Sequence, residues 1–155
     1  MLQRPTPELA ADQLAIIDTI NAYSHALDDK DRDLFMDCFT EDAAWTYKRE
    51  EGEEWSFRVE GRAALGEWYD GHFAMFPIGR ENHITAHTRV TLDGDRASAI
   101  SFYFVIRDVD DALRVNTAGR YHDAMRRCAD GCWRIEERRG IGQMPNSAFR
   151  ALSAR

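Results

Sequence analysis

The sequence predicts an α+β domain. Helical apolar periodicity fills its first half, while strand-like segments separated by Asp-Gly turns fill the second. Its 155 residues are also enough for one self-sufficient core and leave little room for another. No internal repeat, low-complexity stretch or Pro/Gly/Ser linker interrupts it. Residues 1–140 therefore read as a single domain, and 141–155 as a C-terminal tail without periodicity.

Thr6-Pro7-Glu8 has the makings of a helix start: a hydroxyl cap, Pro at the first helical position and an acid in the first turn. Ile16, Ile20, Tyr23 and Leu27 then recur at helical spacing, which predicts a helix over about 7–28. Asp31 caps a second, short helix carrying Leu34, Phe35, Cys38 and Phe39, which Thr40-Glu41-Asp42 ends. Ala43 to Lys48 reads as a strand, paired across an acidic loop with Trp55 to Val59. Gly61 precedes a third helix over about 62–76, with Leu65, Trp68, Tyr69, Phe73 and Phe76 apolar, and Pro77-Ile78-Gly79 stops it. A meander follows: Ile84 to Leu92, Ala97 to Arg107, Leu113 to Arg126 and Trp133 to Arg139. Residues 98–106 are apolar on both faces, which predicts an interior strand covered by the helices on one side. The other side would then be covered by a second copy, as a homodimer or homotrimer.

Composition excludes several classes. Hydrophobic residues make up 44% and charged residues 30%, an ordinary globular balance. A net charge of −7 argues against nucleic acid or an anionic membrane as partner, since both need a clustered positive field. No apolar run approaches the roughly 18 residues of a membrane span. Met1 to Leu9 has two prolines and no apolar stretch, unlike a signal peptide. Three cysteines, Cys38, Cys128 and Cys132, lack metal-ligand spacing and predict reduced thiols in a cytoplasm, although Cys128 and Cys132 flank a turn that has room for a hairpin disulfide.

The order of elements resembles the cone-shaped α+β barrel of the nuclear transport factor 2-like superfamily, with three N-terminal helices packed on a curved, mostly antiparallel sheet. Tyr23-Ser-His-Ala-Leu-Asp28 and Phe39-Thr-Glu-Asp-Ala-Ala-Trp45 look like the opening of its SnoaL-like branch. Val59-Glu-Gly-Arg-Ala-Ala-Leu65, Val90-Thr-Leu-Asp-Gly-Asp95, Gly119-Arg-Tyr-His-Asp123 and Gly131-Cys-Trp-Arg-Ile135 resemble its later segments. Together the match spans about residues 8–140. It includes cofactor-free lyases such as scytalone dehydratase, hexachlorocyclohexane dehydrochlorinase and bile-acid 7α-dehydratase.

The resemblance implies that His83 is a general base taking a proton from carbon, oriented by Asp28. It also implies that Tyr23 and Tyr47 polarise a carbonyl oxygen or assist a leaving group. The chemistry suits the residue types, because neutral imidazole is a base near pH 7 and a carboxylate fixes its tautomer. Asp28 extends the stripe Ile17, Ile20, Ser24 at the edge of the buried helix face. A carboxylate at a helix C-terminus opposes the macrodipole by about 0.3–1 kcal/mol and so calls for a partner. Without the resemblance, Asp28 is also the first member of a solvated charge run, Asp28 to Asp33, and His83 a strand-end histidine bonded to a carbonyl.

Trp45, Phe57, Trp68, Phe73, Phe102 and Phe104 would line an apolar pocket, with Asn116 and Tyr121 as polar groups at its open end. Eight Phe, five Tyr and four Trp suit a flat ring-containing ligand. His87 is either a second pocket group or an outer-face residue. On a strand, His83 and His87 stand about 13 Å apart and cannot share a metal. There is no nucleophile elbow, phosphate-binding loop or dinucleotide fingerprint, so no cofactor is expected. The expected function is a cofactor-independent dehydratase-like lyase or isomerase acting on a hydrophobic ring compound. The alternatives are a non-catalytic binding protein like an oxygenase β subunit, and a polyketide-type cyclase with an Asp base.

Overall fold

The computed structural model describes residues 6–49, 54–75 and 81–143. Its elements are α1 (Pro7–Asp28), α2 (Arg32–Asp37), β1 (Phe39–Lys48), β2 (Phe57–Glu60), α3 (Arg62–Met75), β3 (Glu81–Asp93), β4 (Arg96–Val109), β5 (Ala112–Arg127) and β6 (Trp133–Gly142). The six strands form one sheet in the order β2-β1-β6-β5-β4-β3. Every neighbouring pair is antiparallel except β1 and β6, which run parallel. The sheet curves without closing, and the helices pack against it.

Both expected caps form. The Thr6 hydroxyl accepts from Leu9 N at 3.3 Å, and the Asp31 carboxylate accepts from Leu34 N at 2.9 Å. The inner face of α1 buries Ile16, Ile20, Tyr23 and Leu27. These meet Phe35 and Phe39 from the α2–β1 segment, Trp45 and Leu65, and Met125, Trp133 and Ile135 from the sheet.

Several expected boundaries move. Thr40-Glu41-Asp42 does not stop a helix but opens β1, because Phe39 pairs with Ile135 of β6 ahead of a bulge. Trp55 lies outside β2, which begins at Phe57. β3 starts at Glu81, three residues early, since Glu81 pairs with Arg107. Residues 141 and 142, expected in the tail, belong to the sheet: Arg120 pairs with Ile141 and Gly119 with Gly142, which carries β6 to Gly142. Phe76, the Pro77-Ile78-Gly79 stop, part of the acidic loop and most of the expected tail lie outside the described residues. β4 has a neighbour on each side and buries Ala97, Ala99, Ser101, Tyr103 and Val105 on its inner face. Its outer face carries Ile100 and Phe104, exposed at 41% and 38%.

Candidate active site

Two elements far apart in sequence meet at the end of α1. Ser24 and Thr85 share a hydrogen bond of 2.9 Å, which pins the last turns of α1 to β3. One helical turn on, Asp28 accepts the backbone N–H of His83 through both oxygens, at 2.9 and 3.0 Å. Its Oδ1 also lies 2.7 Å from His83 Nδ1. An ionised carboxylate can only accept, so in this contact Nδ1 is the donor and Nε2 is the ring nitrogen that Asp28 does not engage. The side chains of His83 and Asp28 are 12% and 20% exposed, so the pair is sheltered but reachable.

His83 lies on the wall of a cavity of about 240 Å³ between α1, α3 and the inner face of the sheet. Of the residues singled out from the sequence, Tyr23, Tyr47, Trp45, Phe57, Trp68, Asn116 and Tyr121 also line it. Asn116 gets there through a bulge in β5, beside the register shift at Val105 and Ile106. Asp28 stands behind the wall, touching His83 and not the cavity. Trp45 and Trp68 cross edge-to-face at 4.1 Å, while Tyr47 stacks on Phe57 at 5.9 Å.

The Tyr23 ring lies among Phe35, Phe39, Trp45 and Tyr121. Its hydroxyl is buried with no hydrogen-bond partner among the described residues. Burial pushes its pKa well up, against the pull of the Arg138 guanidinium, so Tyr23 is a neutral phenol.

Four expected pocket residues are elsewhere. Phe102 and Phe104 point the other way, because His83 pairs with Val105 and strand alternation then sends 103 and 105 inward and 102 and 104 outward. Phe102 instead carries the Arg120 guanidinium over its ring at 4.7 Å. His87 sits where the β3 register slips, with φ of 53°, and meets Phe102 edge-on at 6.2 Å. It is therefore not a pocket group. Phe73 packs on Tyr69 and His72 without lining the cavity.

The sequence reasoning in turn missed Leu27, His72, Glu81, Tyr103, Val105, Arg107 and Thr117, which the cavity includes. The signal for Glu81 was available, since a residue two before His83 shares its face once the strand is extended backwards. Tyr103 stacks on Tyr121 at 4.3 Å, and both rings lie over glycines. A Cβ on Gly119 would stand 2.1 Å from the Ile141 carbonyl and 2.8 Å from the Tyr103 ring. Gly140 leaves room in the same way for Tyr47 and Tyr121.

A second carboxylate pair lies deeper. Asp123 and Arg138, opposite each other on β5 and β6, share two hydrogen bonds of 2.8 Å and are fully buried. The guanidinium sits 4.1 and 4.3 Å from the Tyr23 and Tyr121 ring centroids.

The model of the SnoaL-like domain family matches residues 8–139, and the chain belongs to that family. The family is one of small-molecule-binding domains of isomerase and cyclase type. No curated protein matches the sequence. Among solved structures, the chain is similar to a variant of Rv3472 from Mycobacterium tuberculosis, a protein of unknown function. The identity is 27%, the TM-score 0.79, and the alignment covers 93% of this chain and 79% of that one. It is similar to a Novosphingobium aromaticivorans protein provisionally named an aromatic ring hydroxylase (29% identity, TM-score 0.69, 92% and 94% covered). It also shares its fold with the β subunit of a provisionally assigned aromatic-ring-hydroxylating dioxygenase of the same species, at 22% identity and TM-score 0.76, covering 88% and 92%. No helix among the described residues is long and apolar enough to cross a membrane.

Proposed function

We propose that this chain is a cofactor-independent lyase or isomerase that removes a proton from carbon in a hydrophobic ring compound. The observation that carries the reading is the 2.7 Å contact between His83 Nδ1 and Asp28, beside a cavity walled by aromatic rings. His83 Nε2 takes the proton, and Asp28 fixes the tautomer and balances the imidazolium that forms. Tyr23, neutral and buried, offers its O–H to an oxygen on which negative charge develops, with Tyr47 at its side. The aromatic walls keep water from competing for that charge. An imidazole base needs neither metal nor organic cofactor for this step, and proton transfer of this kind supplies about 10²–10⁴-fold.

The test is proton exchange. Cyclic ketones of one and two rings are incubated with the protein in D2O, and deuterium uptake beside the carbonyl is followed by NMR. Exchange above the buffer rate is expected for the wild type and not for His83→Ala. Exchange that persists at full rate in His83→Ala would sink the proposal.

A second reading is favoured by the likeness to an oxygenase β subunit and by the bare apolar outer face, where Ile84, Ile100 and Phe104 are each about two-fifths exposed. In that reading the cone supports a catalytic α subunit. Co-purification with an iron–sulfur protein would favour it, whereas light scattering that gave a homodimer or homotrimer would favour self-assembly through the same face.

A further inference from the structure

The cavity contains a second imidazole–carboxylate set that the proposed proton abstraction does not use. Glu81 and His83 are alternate residues of β3, so both face the cavity about 6.6 Å apart along the strand. Glu81 pairs through Oε1 with Arg107 Nε, its cross-strand neighbour on β4. Its other oxygen, Oε2, lies 3.6 Å from His72 Nε2 on the last turn of α3. That gap is longer than a hydrogen bond.

The His72 ring is held in place by its stack on Trp68, at 5.0 Å and 19°. Burial disfavours ionisation of Glu81, but the His72 ring and the Arg107 guanidinium beside it outweigh that and hold the carboxyl below its ordinary value. Glu81 is thus an acceptor at neutral pH, with the His72 ring nitrogen fixed beside it. All three side chains line the same cavity as His83.

We infer that His72 and Glu81 form a hydroxyl-binding subsite, and that the compound held in the cavity is a hydroxylated ring. A hydroxyl is both donor and acceptor, so one oxygen between the pair accepts from His72 Nε2 and donates to Glu81 Oε2. An ether or ketone oxygen meets only half of that demand. A hydroxyl anchored there leaves the next ring carbons one strand repeat along, beside His83. The subsite therefore selects the substrate and sets which C–H faces the base. The inference rests on the proposed role of the cavity as the substrate site.

The test uses 2-naphthol, 2-methoxynaphthalene and naphthalene as probes on the full chain. Binding is followed by quenching of tryptophan emission, since Trp45 and Trp68 line the cavity. The wild type should bind 2-naphthol roughly five- to tenfold more tightly than 2-methoxynaphthalene, the range one hydrogen-bond difference supplies. Glu81→Leu, which removes the acceptor that only a hydroxyl can use, should erase that preference, whereas His72→Phe, which preserves the stack on Trp68, should weaken 2-naphthol and 2-methoxynaphthalene alike; naphthalene, which makes neither contact, should change least. Glu81→Met serves as the second variant if Glu81→Leu does not fold.

A wild type without the preference overturns the inference while leaving the cavity reading in place. So does a preference that survives Glu81 replacement, and one that then disappears in His83→Gln would place the hydroxyl at the other end. A wild type that binds none of the three probes overturns the cavity as the substrate site, and this inference with it.

Discussion

Two carboxylates in this molecule each hold a nitrogen base, and they do so in opposite surroundings. Asp123 grips Arg138 with two hydrogen bonds in full burial, and the guanidinium lies against two tyrosine rings. Asp28 grips His83 from behind a cavity wall, with part of each side chain still reachable. The first pair has no exit: a guanidinium does not give up its proton, and the pair is sealed. The second contains an imidazole, and that ring lines open space. Similar ionic chemistry suits a scaffold or, in the proposed function, a reactive site according to the identity of the base and to what lies beyond it.

The comparison is broken most forcefully at Arg138. Replacing it with Met strands a buried carboxylate, and about 3–5 kcal/mol of stability should be lost in urea unfolding. Removing both charges, as Asp123→Leu with Arg138→Met, should restore most of that loss, because a well-packed apolar pair avoids the desolvation cost. A double variant as unstable as the single one would show that the pair does more than satisfy itself.

Asp28→Asn should act the other way. The amide oxygen can still accept from His83, and removing a charge from the C-terminal end of α1 relieves the helix dipole, so stability should move by no more than about 1 kcal/mol. Turnover in the exchange assay should nonetheless fall by about 10²–10⁴, because the amide no longer enforces the tautomer or balances the imidazolium.

The smallest effect concerns acid. The Glu81 carboxyl lies below its ordinary value in the fold, so its contribution is full above about pH 4.5 and is lost as the pH falls through the depressed value. The melting temperature of the wild type should therefore drop more steeply than that of Glu81→Gln between pH 5 and 3. Parallel curves would contradict the contribution assigned to Glu81.

The fold was largely legible because its signals are local. Caps at Thr6 and Asp31, the helical stripe from Ile16 to Leu27 and the Asp-Gly turns each declare themselves within a few residues. What stayed hidden depended on pairing between distant strands. The face of β4 that turns inward follows from the register of Val105 against His83, so Phe102 and Phe104 could not be distinguished from pocket residues by pattern alone. Arg138 reads as one more charge in an Arg-rich strand, and only its register with Asp123 makes it interior. His72 looks like a helix-end cation until Glu81, nine residues on, is found beside it.

The parallel pairing of β1 with β6 has a consequence for how the chain is made. Among the described residues, β6 alone bridges the β2-β1 hairpin and the β3-β4-β5 meander. On a ribosome, both halves emerge before the strand that joins them, each with an unsatisfied sheet edge. Until residues near Gly142 clear the exit tunnel, the nascent chain holds two open β-edges and half-covered tyrosine rings. That interval is when a chaperone has most to bind, and when neighbouring nascent chains are most prone to pair with each other.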